Sequence, residues 1–78
     1  MLYWVSGIIQ NEGDKKPWLC AYSQGELNLE RAKRQIETMR HNHNVLSAWI
    51  DTFDENDVKT TVFHECYIDA FGNKDYRK

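Results

Sequence analysis

Val45-Leu46-Ser47-Ala48-Trp49-Ile50-Asp51-Thr52-Phe53 is the stretch on which the fold turns. Successive side chains of an extended chain point to opposite faces, so Leu46, Ala48 and Ile50 share one side and Ser47, Trp49, Asp51 and Phe53 the other. One side is apolar; the other mixes large aromatics with polar groups. This pattern predicts a strand in a sheet that is covered on one face and open on the other.

The residues before this strand predict a helix. Asn28 is placed to accept from an orphan N–H of the first turn, with Leu27 just outside it to pack back on the helix. Ser23 with Glu26 offers a rival capping box a few residues earlier. Leu29, Ala32, Ile36 and Met39 line one stripe, while Glu30, Arg31, Lys33, Arg34, Glu37 and Arg40 fill the other side. Glu30 and Arg34 have the favourable four-residue spacing. His41-Asn42-His43-Asn44 ends the helix, with cations at its negative end and Asn suited to a left-handed cap.

Outward on both sides lie hairpins. Leu2 to Gln10 reads as the first strand, Asn11-Glu12-Gly13-Asp14-Lys15-Lys16-Pro17 as a turn, and Trp18 to Tyr22 as the returning strand, broken by Ser23-Gln24-Gly25. Asp54-Glu55-Asn56-Asp57 turns the third strand into a fourth, from Lys59 to about Ala70, closed by Phe71-Gly72-Asn73. Residues 1–73 form one α+β domain, and Lys74 to Lys78 read as a charged tail.

Short connections reverse the chain at each step. Pairing the first and third strands at the centre gives a four-stranded antiparallel sheet, ββαββ in spatial order 2-1-3-4, with the helix crossing one face right-handedly. Val5, Ile9, Leu19, Ala21, Leu46, Ala48, Ile50, Val62, Cys66 and Ile68 are expected under the helix. Trp4, Ile8, Trp18, Tyr22, Trp49, Phe53, Phe63 and Tyr67 are expected on the far side. A one-residue slip or a bulge would exchange these sets within a strand.

Seventy-eight residues leave no room for a second core or for the deep cleft of most enzymes. The chain is 41% hydrophobic and 13% aromatic, the composition of a folded globule, and no segment approaches the roughly 18 consecutive apolar residues of a membrane span. Met1-Leu2-Tyr3-Trp4-Val5 reads as the start of a strand and not as a signal peptide. The cytoplasm is therefore the expected compartment, with Cys20 and Cys66 reduced. Acidic residues gather between Asp51 and Asp57, whereas Arg31, Lys33, Arg34, Arg40, Lys74, Arg77 and Lys78 give the helix and tail a basic tint. The net charge of −2 argues against a sequence-independent grip on phosphates.

Chemical signatures are weak. His64 and Cys66 alternate on one strand and His41 and His43 sit at the helix end, but these spacings lack the paired knuckles of a zinc site, so no metal is expected. As a nucleophile pair, His64 and Cys66 are expected toward the helix, where a thiol is buried and inert. Asp54 and Glu55 lie in an exposed turn, and four glycines form no phosphate loop. No catalytic residue, cofactor or small-molecule substrate is expected.

The aromatic face is what calls for an occupant. Trp4, Trp18, Tyr22, Trp49, Phe53, Phe63 and Tyr67 on one open face point to a docking surface for a protein partner or for a second copy in a homodimer, or else to cover by the chain's own tail and long side chains. The alternative is a single-stranded nucleic-acid binder that stacks bases on these rings, which Asp51, Glu65 and Asp69 on the same face disfavour. Two hairpins around one helix, with Leu29-Glu30-Arg31-Ala32-Lys33-Arg34 opening the helix and a strand directly after it, resemble small proteins encoded by phages and mobile elements. Some anti-CRISPR inhibitors share that order of strands and helix. The resemblance implies a compact partner-binding or inhibitory protein of phage or prophage origin.

Overall fold

A computed structural model describes residues 2–67. The elements follow in the order β1 (Tyr3–Ile9), β2 (Trp18–Glu26), α1 (Leu29–Asn42), β3 (Val45–Phe53) and β4 (Lys59–Cys66). The strands form one antiparallel sheet in the order β2-β1-β3-β4. The chain is thus an α+β domain of the expected topology. Ile68, Ala70, the Phe71-Gly72-Asn73 closure and the tail from Lys74 lie outside the described residues.

Helix α1 forms where its stripe and caps place it. The Asn28 side chain accepts from the Arg31 N–H at 2.8 Å, and Ala32, Ile36 and Met39 are buried. Leu27 does not staple the helix; it is 69% exposed. Ser23 and Glu26 do bond, hydroxyl to carboxylate, but inside β2. The C-terminal cap is an extended His43 whose N–H donates to the Met39 carbonyl at 2.9 Å, not a left-handed Asn. Asn44 is spent elsewhere: its N–H donates to Asn11 Oδ1 and its side-chain amide to the Gln10 carbonyl, tying the helix end to the first hairpin.

The core under α1 comprises Val5, Ile9, Ala32, Ile36, Met39, Val45, Ala48 and Ile50, flanked by Tyr3, Cys20, Tyr22, Leu29, Phe63 and Tyr67. At its centre Gly7 lets the helix approach the sheet. A Cβ on Gly7 would stand 2.8 Å from the Ser47 carbonyl oxygen and 3.0 Å from Met39 Cε. Among the described residues no helix is long and apolar enough to cross a membrane.

Side chains directly opposite each other on paired strands share a face, so the register assigns every position. In β1, Val5 and Ile9 face the helix and Trp4 and Ile8 the open side, as expected. In β2 the expected faces are reversed. Trp18 and Cys20 lie opposite Ile9 and Gly7 on the helix side, while Leu19 and Ala21 lie opposite Ile8 and Ser6 on the open side, where Leu19 is 64% exposed. The turn sets this phase: the Asp14 carboxylate accepts both the Asn11 N–H and the Trp18 indole N–H, drawing Trp18 toward His43. These two donors, the indole first, hold the Asp14 carboxyl below its ordinary range. Nor does β2 end at Tyr22. Bulges at Tyr22 and near Gly25, whose φ is +81°, carry it on to Glu26.

In β4 the alternation holds through Thr61, which lies opposite Asp51 on the open face, and then inverts. Val62 is an extra residue, because Ile50 pairs with Phe63 while Asp51 pairs with Thr61. Phe63, Glu65 and Tyr67 therefore turn to the helix side, and Val62 is exposed instead of buried. Leu46 is likewise the extra residue opposite the Ile8–Ile9 step; it is buried, but it is Val45 that joins the core cluster.

Candidate protein-docking face

The open face is smaller than the sequence implies, and differently composed. Trp4, Trp49 and Phe53 occupy it as expected. Tyr22, Phe63 and Tyr67 do not; they pack against the core cluster on the helix side. Trp18 stands at the edge of that same side, edge-on to His43. Two tryptophans, not three, thus remain on the open face. Arg40 lies 3.8 Å over the Tyr67 ring and Lys33 lies 5.3 Å over Phe63, so these two aromatics serve as platforms for helix cations. Burial and the adjacent Glu65 carboxylate push the Tyr67 phenol above its ordinary pKa.

On the open face the rings meet edge-on in two pairs. Trp4 and Phe53 meet edge-to-face with centroids 4.9 Å apart, and Trp49 meets the His64 ring edge-on at 6.0 Å. All three large aromatics are half-buried. Leu19 on β2 is an exposed apolar residue toward one margin, and Val62, the bulge residue of β4, is exposed on the opposite edge strand. Among the described residues no element covers this face. Asp51 shares it, buried beneath its neighbours, with its Oδ1 accepting from the Thr61 hydroxyl at 2.6 Å. Glu65, expected here, is on the helix side, and Asp69 lies outside the described residues.

Sequence reasoning missed Asp57. The Asp54 carboxylate accepts from the Asn56 and Val58 N–H groups and fixes the β3–β4 turn. Asp57 then takes a left-handed φ of 62° and lines the same recess as Trp4 and Phe53. Asp tolerates that region better than most residues, and an acidic Asp-Glu-Asn-Asp turn is the one signal that points to it.

His64 and Cys66 are also relocated. The inversion in β4 puts them on the open face, opposite Trp49 and Ser47, with Cys66 Sγ 3.8 Å from His64 Nε2. Cys20 is on β2, at the other edge of the sheet and on its other face, so the two thiols cannot form an intramolecular disulfide; both are free. No group of three or more His, Cys, Asp or Glu residues among the described residues is arranged to hold a metal ion. Burial raises the pKa of the Cys20 thiol. Under limiting iodoacetamide near neutral pH, Cys66 is expected to be alkylated before Cys20, as read by peptide mass spectrometry. Prior labelling of Cys20 would contradict its place against the core.

No family model, no curated protein and no solved structure matches the chain.

Proposed function

We propose that this chain is a small non-catalytic protein-binding module, of the inhibitory kind that phages and prophages encode, which docks through the open face of its sheet. The observation that carries this reading is Trp4, Trp49 and Phe53 on a face left uncovered by the described elements, with Leu19 exposed toward its margin. Half-buried aromatics of this sort concentrate binding energy, because a partner completes the desolvation that the sheet begins. The occupant is a protein partner or a second copy of the chain. Asp51 and Asp57 on this face oppose a phosphate backbone, which favours protein over single-stranded nucleic acid.

The test compares the wild type with Trp49→Ala in three measurements: light scattering on a sizing column, capture of binding proteins from cells, and titration with a fluorescent single-stranded oligonucleotide. Trp49→Ala is expected to fold as the wild type does and to lose the captured proteins or the dimer. Salt-sensitive oligonucleotide binding that disappears in Trp49→Ala would replace this reading with base stacking. Identical association by both proteins would end the claim of a docking face.

A further inference from the structure

One recess on the open face combines aromatic rings with carboxylates. Trp4, Ser6, Asp51, Phe53 and Asp57 line a shallow, open depression of about 420 Å³. Its two rings stand at 82° to each other, forming two walls of a corner. Asp51 is only 7% exposed. Its Oδ1 is engaged by the Thr61 hydroxyl, and no group among the described residues donates to Oδ2. Asp51 lines the recess, and Oδ2 is its remaining carboxylate oxygen. Lys59, opposite Phe53 across the sheet, is exposed and does not line the recess.

We infer that this recess is a cation site, and that it receives the ammonium or guanidinium of a basic side chain on the protein partner. The inference rests on the docking reading above and specifies the chemistry of its anchor. A cation is drawn to the negative faces of aromatic rings, and more strongly where water is partly excluded. Here Trp4 and Phe53 supply that attraction, Asp51 the carboxylate of a largely buried side chain, and Asp57 a second negative charge in the lining. A neutral apolar side chain entering the same space would leave Oδ2 without a donor, a cost that selects against it. Phosphate and carboxylate ligands would meet two like charges.

The test titrates the full chain with N-acetyl-arginine amide, N-acetyl-lysine amide and the neutral N-acetyl-norleucine amide, following the Trp4 indole N–H and the Thr61 amide by NMR. Saturable shifts are expected with both cations, and binding about fivefold weaker or more with the neutral analogue. Phe53→Leu and Asp57→Asn, both outside the core cluster, are each expected to weaken cation binding by about the same factor. Equal binding of the neutral analogue, or unchanged affinity in both variants, would overturn the cation site. If Trp49→Ala abolishes partner capture while the cations shift nothing, the docking face stands and the cation site falls. If the cations bind while Trp49→Ala changes no association, the cation preference stands and the docking reading falls.

Discussion

Gly7→Ala is expected to lose about 1–3 kcal/mol of stability, and Gly7→Val more, in a domain whose total is on the order of 5–15 kcal/mol. The space for a Cβ is closed by two kinds of atom. Met39 Cε, at 3.0 Å, ends a flexible side chain and can swing away; the Ser47 carbonyl oxygen, at 2.8 Å, is backbone held in the central ladder and cannot. An added methyl therefore either opens the β1–β3 pairing or lifts α1 from the sheet. Urea unfolding followed by far-ultraviolet circular dichroism reads the loss directly. A midpoint for Gly7→Ala within about 0.5 kcal/mol of wild type would mean that the sheet yields there without cost.

Ile36→Ala is expected to cost about 2–5 kcal/mol. Ile36 is 3% exposed at the middle of the helix stripe, between Ala32 and Met39, both without measurable exposure. Those neighbours sit on one rigid helix, so they cannot close inward to fill the space left by the lost side chain, and the cavity term remains. Thermal melting compared with Trp49→Ala separates the two surfaces. The core variant is expected to melt far lower than the face variant, and similar losses would place Trp49 in an intramolecular core.

The helix and the strand order were legible in the sequence because each rests on a local, repeated signal. The stripe from Leu29 to Met39 places the body of α1, Asn28 is the one of its two candidate caps that starts it, and short reversing connections leave few ways to order the strands. The faces of the central strands were legible too at Val5, Ile9, Ala48 and Ile50, up to the bulge at Leu46 that brings Val45 into the core cluster. The edge strands defeated the same reasoning for a physical cause. Alternation fixes which residues share a side only until a bulge, and Val62 inverts the phase in the middle of β4 without any glycine or proline to announce it. That single residue moves Phe63 and Tyr67 under the helix and brings His64 and Cys66 out. In β2 the reversed phase goes with Asp14 holding the Trp18 indole across the turn, a side-chain bond that no hydrophobic pattern encodes. The recess was half legible: Asp51 shares the parity of Trp49 and Phe53, but Asp57 joins it only through a left-handed turn residue.

The bulges have a further effect on the company this chain keeps. Strands at the two ends of a sheet carry unsatisfied backbone groups that invite foreign strands to add on, the route by which sheets polymerise. β2 is interrupted at Tyr22 and again near Gly25, and β4 at Val62, so neither border offers a long straight row of donors and acceptors. Lys59 and Glu65 add charge along β4. A visiting strand would run out of register within a few residues on either flank. The described residues thus break both borders of the sheet against indiscriminate strand addition, and the contact they leave to other molecules is through side chains on the faces and not through a continuous backbone edge.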